Sequence, residues 1–205
     1  MQQPMRWMMA TADLDRLASL SGWVAMVALI LSGIALALFF GGAGEFWGPV
    51  NDALIVLTAI ALVPVVLAVD RAAGDHGAPW VRIVSITALA GLVLMALGQS
   101  LLIVGRLSLE GSYVTGGIGV IPFLAWIVLL AVLALGMGVL PGRTGWLALA
   151  ALLMVVALSI TAVITLGPPT WIAGVALVVA MSALFADLAL QLGSRAATSA
   201  VGAAA

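Results

Sequence analysis

The sequence contains no cysteine and no lysine, and it has a single histidine and a single tyrosine. Without cysteine the chain can form no disulfide bond, no thiolate metal site and no cysteine nucleophile. One histidine, His76, cannot supply bis-histidine haem ligation or a multi-histidine metal site. Charge is also scarce, because charged residues make up only 7% of the chain. No basic surface for nucleic acid can be built from so few charges, and we predict no metal and no cofactor.

Apolar residues are abundant instead, at 65% of the 205 residues, with a mean hydropathy of +1.32. A soluble domain of this size needs far more polar cover, so the composition predicts an integral membrane protein. The apolar segments do not alternate polar and apolar residues, as the strands of a membrane barrel do. We therefore predict an all-α, single-domain bundle of six transmembrane helices, because a helix needs about 20 residues to cross a bilayer. The predicted spans are about 22–40, 50–69, 82–104, 117–139, 145–166 and 170–192.

Arginine placement predicts the orientation of the chain. All but one of the arginines fall on one side of the membrane if both termini lie on that side: Arg6, Arg16, Arg71, Arg82, Arg143 and Arg195. Only Arg106 falls on the other side. Because basic residues concentrate in cytoplasmic segments, both termini are predicted to be cytoplasmic. The use of arginine alone, with much Ala, Gly, Val and Leu, is typical of a GC-rich bacterial genome, so we expect a multi-pass protein of the bacterial inner membrane.

The segment MRWMMATADLDRLASL precedes the first predicted span. The apolar run that follows it is too long for the core of a cleaved signal peptide. Its own apolar residues, including Trp7, Leu14 and Leu17, can dip into the lipid headgroups. We therefore predict a short interfacial helix before the first span.

The stretch WGPVNDALIVLTAIALVPVVLAVDR and the segments after it resemble a broad family of six-span bacterial integral membrane proteins, a domain family of unknown function. The shared features are Asp52 at the start of the second span, Arg71 at its end, and a fourth span that contains Trp126 and breaks at Pro141-Gly142. The resemblance is one of layout, and it implies a compact six-helix bundle. It implies no activity and no functional residue.

Ionisable residues at membrane depth are the first candidates for function, because placing them there is costly. Asn51 and Asp52 follow Pro49, and a carboxylate so near a helix start is also favoured by the helix dipole alone. Gln99, Arg106 and Glu110 are spaced i, i+7 and i+11, so a helix that continues past Gly105 would align them in one stripe. An ion pair between Arg106 and Glu110 at the membrane surface explains the presence of these two residues equally well.

These residues predict an outward-facing polar recess between the second and third spans. Its ligand-binding candidates are Asn51, Asp52, Gln99, Arg106, Glu110 and Trp126, the last of which either lines an apolar pocket or only fills space. Asp187, near the inner end of the sixth span, is a separate candidate acid. It can hold a proton, pair with Arg82 or Arg143, or simply lie at the interface.

A water-soluble substrate needs several convergent polar groups, and the chain offers about four on the outer side. We therefore predict a protein that binds a lipid or a small apolar ligand, or an accessory subunit that associates with a membrane protein partner or with copies of itself. An intramembrane enzyme acting on a lipid or isoprenoid is an alternative, with Asp52 or Glu110 as general acid beside a pocket near Trp126. A small oligomeric transporter or channel is another, and it needs a polar path through the inner half. The residues available for that path are Ser85, Thr87, Ser159, Thr161 and Asp187.

Overall fold

A computed structural model describes residues 3–74, 79–164 and 168–204, and within these ranges the chain forms helices and no strand. The helices are α1 (Gln3–Phe40), α2 (Trp47–Gly74), α3 (Pro79–Ile103), α4 (Leu109–Ala131), α5 (Gly142–Ile164) and α6 (Pro168–Ala204). A π-helical turn, Val132–Gly136, extends α4. Each of the six predicted spans corresponds to a helix that is long and apolar enough to cross a membrane, so this prediction is confirmed. His76 lies outside the described residues.

The first helix differs from the prediction in one respect, because the expected interfacial helix is not a separate element. α1 runs without interruption over 38 residues and includes that segment. The reason lies in α6, which packs beside it. The Ser19 hydroxyl donates a hydrogen bond to the carbonyl oxygen of Ala189 at 2.8 Å, and a Cβ at Gly22 would touch the Ala189 side chain at 3.0 Å. Packing against α6 therefore supports α1 at the expected boundary, through which the helix continues.

The helices form a closed ring in chain order. Each helix packs against the next one along the chain, and α6 packs against α1. Short connections make neighbours antiparallel, so α1 begins and α6 ends at the same end of the bundle. We call this end the termini side and the opposite end the far side. Within the most apolar window of each helix, α2, α4 and α6 have 44%, 50% and 39% of their residues buried, against 22% for α1, α3 and α5. The even-numbered helices therefore lie nearer the bundle axis.

The core differs between the two sides. Large, fully buried side chains come from the middle and the termini side of the helices: Leu62, Val65, Leu92, Trp126, Ile127, Leu129, Leu130, Leu133, Leu184, Phe185, Leu188 and Leu192. Buried positions nearer the far side carry small or polar side chains instead, among them Ser32, Ala35, Asn51, Ser112 and Ala173. Because dispersion contacts scale with the number of packed atoms, the termini side has the denser apolar packing.

α3 and α4 pack closely at two glycines of α3. A Cβ at Gly91 would lie 2.5 Å from the carbonyl oxygen of Gly119, and one at Gly98 would lie 2.5 Å from the Thr115 hydroxyl oxygen. Small residues at helix interfaces allow this approach in membranes. Gly91 and Gly98 therefore allow α3 to lie close against α4.

Candidate functional site

A chain of polar side chains links α1 to α2 near the far side. The hydroxyl of Ser32 donates a hydrogen bond to Asn51 Oδ1 at 2.7 Å, and Asn51 Nδ2 donates one to Asp52 Oδ1 at 3.3 Å. α2 begins at Trp47 with Pro49 in its first turn, which brings Asn51 and Asp52 into the second turn. Asn51 is buried and Asp52 is half-buried. The second carboxylate oxygen of Asp52 has no hydrogen bond from the described residues.

Gln99 lies at the same end of the neighbouring helix. It is four residues before the end of α3, while Asp52 is five residues after the start of α2, so both are within about two turns of the far side. The side-chain carbonyl oxygen of Gln99 is buried and has no hydrogen-bond partner. An unsatisfied buried polar atom is costly and needs an explanation, of which a bound ligand or water is one.

The predicted stripe of Gln99, Arg106 and Glu110 is wrong, because α3 does not continue past Gly105. Gly105 adopts a left-handed conformation with φ of 68°. The Gly105 N–H donates a hydrogen bond to the carbonyl oxygen of Leu102 at 3.0 Å. The Arg106 N–H donates one to the carbonyl oxygen of Leu101 at 2.9 Å. This pair of bonds is the Schellman motif that ends many helices.

The residues after this motif therefore belong to a connection and to a different helix. Arg106 lies exposed in the connection between α3 and α4. Ser108 caps α4 by accepting a hydrogen bond from the Gly111 N–H at 3.2 Å, and Glu110 is exposed in the first turn of that helix. In the described part of the chain, no ion pair joins Arg106 to Glu110 or to Asp52.

Trp126 does not belong to the predicted recess. It lies 16 residues after Glu110 along α4, which is about 24 Å of helix. Its side chain has no exposed surface and stacks on Phe123 with ring centroids 5.8 Å apart. The indole therefore fills space in the core, on the termini side of the bundle, and its buried N–H has no partner.

A second polar cluster joins α5 to α6 on the termini side. One oxygen of Asp187 pairs with Arg143 Nε at 2.5 Å. The other oxygen accepts a hydrogen bond from the Thr144 hydroxyl at 2.6 Å and one from the Gln191 amide. Asp187, Thr144 and Gln191 are buried, while the Arg143 side chain is 62% exposed. Of the roles considered for Asp187, the structure thus shows the pairing with Arg143.

A third interaction, between α1 and α2, involves a residue that the sequence analysis missed. Arg71 donates to the buried carboxylate of Asp15 at 2.6 Å. The sequence does contain a signal for this burial. Asp15 is in phase with Ala18, Gly22 and Ala25, small residues at alternating spacings of three and four that face the bundle.

Two of the polar residues considered for a transport path lie away from the interior of the bundle. Thr87 and Ser159 are exposed on the outer surface of the bundle, and their hydroxyls donate to carbonyl oxygens of their own helices. Ser85 is buried with an unpartnered hydroxyl. Among the described residues there is also no cluster of three acidic or histidine side chains that would hold a metal ion.

Comparison of the chain with protein-family models, with curated proteins and with solved structures found no match. The resemblance in layout to six-span bacterial membrane proteins therefore stays a prediction, and the arguments on function below depend on the residues themselves.

Proposed function

We propose that this chain is a multi-pass protein of the bacterial inner membrane with cytoplasmic termini, and that it binds a lipid or another small apolar ligand at the far, outward-facing side. The topology follows from the arginines, since Arg16, Arg71, Arg82, Arg143 and Arg195 all lie at the termini side of the described helices. Basic residues favour the cytoplasmic side. The far side then faces the periplasm.

The observation that carries the ligand proposal is the unpartnered carbonyl oxygen of Gln99. It lies at the same end of the bundle as the open oxygen of Asp52, and both atoms are hydrogen-bond acceptors. Arg106, exposed in the adjoining connection, supplies donors at the rim. A ligand with a polar head that donates hydrogen bonds and an apolar body fits this set, since binding sites combine an apolar wall with a few placed polar groups.

The packing of the core favours binding over transport or catalysis. On the termini side the bundle axis is filled by large side chains such as Trp126 and Phe185, which leaves no polar path among the described residues. The pocket that an intramembrane enzyme would need near Trp126 is occupied by the packed indole and Phe123. The small buried side chains near the far side, such as Ser32 and Ala35, are the ones that a ligand can displace or pack against.

The test is native mass spectrometry of the protein purified in mild detergent. We expect wild-type protein to retain a lipid or isoprenoid that Gln99→Leu and Asp52→Asn release. Arg82→Ala is the matched control for Arg106→Ala, because both arginines are exposed and they lie at opposite ends of the bundle. An outward-facing site is supported if Arg106→Ala lowers the amount of ligand retained and Arg82→Ala does not. A ligand-free wild-type spectrum, or retention unchanged in every far-side variant, refutes the proposal and favours the role of an accessory subunit.

A further inference from the structure

A cavity of about 380 Å³ lies between the beginning of α1 and the end of α6, at the opposite end of the bundle from the proposed ligand site. Its described walls carry two charged side chains, Asp13 and Arg16, both from α1. Alanines of α6, including Ala196 and Ala200, form much of the facing wall. The cavity therefore combines one anion and one cation with an apolar wall of small side chains.

The two charges are available to a ligand. Asp13 and Arg16 are both exposed, and within the described part of the chain neither forms an ion pair. They are three residues apart, so they lie on the same face of the helix. Ser19 also lines the cavity, but its hydroxyl already donates to the Ala189 carbonyl oxygen at 2.8 Å. Polar recognition in this cavity thus falls to the carboxylate and the guanidinium.

The cavity lies at the level where lipid tails meet headgroups. Leu17 and Leu20 lie in the turn of α1 that follows Arg16 and are 53% and 59% exposed. Exposed leucines on a membrane helix contact acyl chains, whereas arginine side chains near the end of a span extend to the interface. Charges one turn beyond such an apolar surface are within reach of the headgroups of the adjacent leaflet.

We propose that this cavity is a binding site for a zwitterionic aminophospholipid such as phosphatidylethanolamine. The guanidinium of Arg16 binds the headgroup phosphate, for which its planar set of donors is suited. The carboxylate of Asp13 accepts hydrogen bonds from the primary ammonium of the same headgroup. One acyl chain then lies along Leu20 and the alanines of α6. Phosphatidylglycerol offers Asp13 only neutral hydroxyl donors in place of the ammonium, so its hydrogen bond to the carboxylate carries no opposite charge. A quaternary choline has no N–H to donate.

The test is a lipid titration of the purified full-length protein in mild detergent, read by native mass spectrometry. The probes are phosphatidylethanolamine, phosphatidylglycerol and phosphatidylcholine with identical acyl chains. We expect wild-type protein to bind the ethanolamine lipid with about tenfold higher affinity than the other two, the change that one charge-assisted hydrogen bond produces. Arg16→Ala and Asp13→Asn each lower that affinity by about tenfold. Both residues are exposed, so neither substitution disturbs the core.

Arg82→Ala is the control for a general effect of losing an exposed arginine on the same side, and it leaves the affinity unchanged. Equal binding of the three lipids, or wild-type affinity in Arg16→Ala, overturns the proposal. If Asp13→Asn leaves the affinity for the ethanolamine lipid unchanged, Asp13 does not contact the ammonium group, and the assignment of a zwitterionic ligand is wrong. Arg106→Ala retains ethanolamine-lipid binding at this site, so this proposal and the far-side proposal succeed or fail separately.

Discussion

Replacing Asp187 with leucine tests whether the cluster between α5 and α6 stabilises the bundle. The carboxylate accepts from Arg143, Thr144 and Gln191, so the substitution removes the shared acceptor while keeping a side chain of similar size. Arg143→Met removes only the ion pair. The two variants therefore separate the charged interaction from the hydrogen bonds of the buried neighbours.

The expected magnitude follows from the exposure of each partner. The Arg143 side chain is 62% exposed, so its charge regains hydration and the ion pair contributes about 1 kcal/mol or less. Thr144 has no exposed surface, and the loss of a hydrogen bond within a membrane protein costs about 0.6 kcal/mol on average and at most about 1.7. Gln191 keeps one partner, because its amide also donates to the Thr144 hydroxyl oxygen. We expect Asp187→Leu to lower the free energy of unfolding by about 2 kcal/mol, and Arg143→Met by about half of that.

The assay is reversible unfolding in mixed micelles with increasing sodium dodecyl sulfate, followed by tryptophan fluorescence. Asp70→Leu is the matched control, since Asp70 is a carboxylate near the same end of the bundle with no ion pair among the described residues. Combining Asp187→Leu with Arg143→Met gives the coupling energy directly. Two results refute the reasoning: Asp187→Leu unfolds like the control, or Arg143→Met costs as much as Asp187→Leu, which assigns the whole effect to an exposed charge.

Two further predictions concern packing and topology. Gly91→Ala places a methyl group against the Gly119 carbonyl oxygen, so we expect it to lower stability by about 1–3 kcal/mol in thermal unfolding. Gly117→Ala meets no atom within 4 Å, so it leaves stability unchanged or raises it through helix propensity; equal losses for both would contradict this account of the contact. Because the chain has no cysteine, Ala43→Cys and Thr198→Cys each provide a single label site. In intact spheroplasts a membrane-impermeant maleimide labels Ala43→Cys and not Thr198→Cys, and the reverse pattern excludes cytoplasmic termini.

The number of spans and their order could be predicted from the sequence because each depends on a long apolar run. The ends of the helices were not predicted correctly, because hydropathy detects neither local caps nor packing against neighbouring helices. The predicted interfacial helix and the first span form one continuous helix, α1, at a point where α6 packs beside Ser19 and Gly22. α4 begins at Leu109, well before the predicted 117, because Ser108 caps it. Hydropathy registers only the interior of a span, whereas caps and packing set its limits.

Less of the candidate site could be predicted. The pairing of Asp187 with Arg143 was one of several options that spacing alone left open, because the two residues come from different helices. The stripe through Arg106 assumed a continuous helix, and a single left-handed glycine, Gly105, ends it. Trp126 fills space, which was one of its two predicted roles, and its assignment to the recess was wrong for a different reason. Helical position gives the depth of a residue only when the helix start is known, and the start of α4 was misplaced.

The distribution of interactions makes the far side the less densely packed half of the bundle, and the proposed ligand site lies in this half. The ion pairs of the described residues, Asp15 with Arg71 and Asp187 with Arg143, both lie towards the termini side, as do the large buried side chains. A half that is tightly packed and joined by ion pairs between helices resists local unfolding. A half that has few buried apolar contacts unfolds locally at a lower free-energy cost. Near the far side the buried contacts come from small side chains. The unsatisfied oxygen of Gln99 lies there, while the buried unpartnered atoms of Ser85 and Trp126 lie toward the termini side. A ligand that supplies both the missing donor and the missing contact area would therefore stabilise that half without disturbing the other.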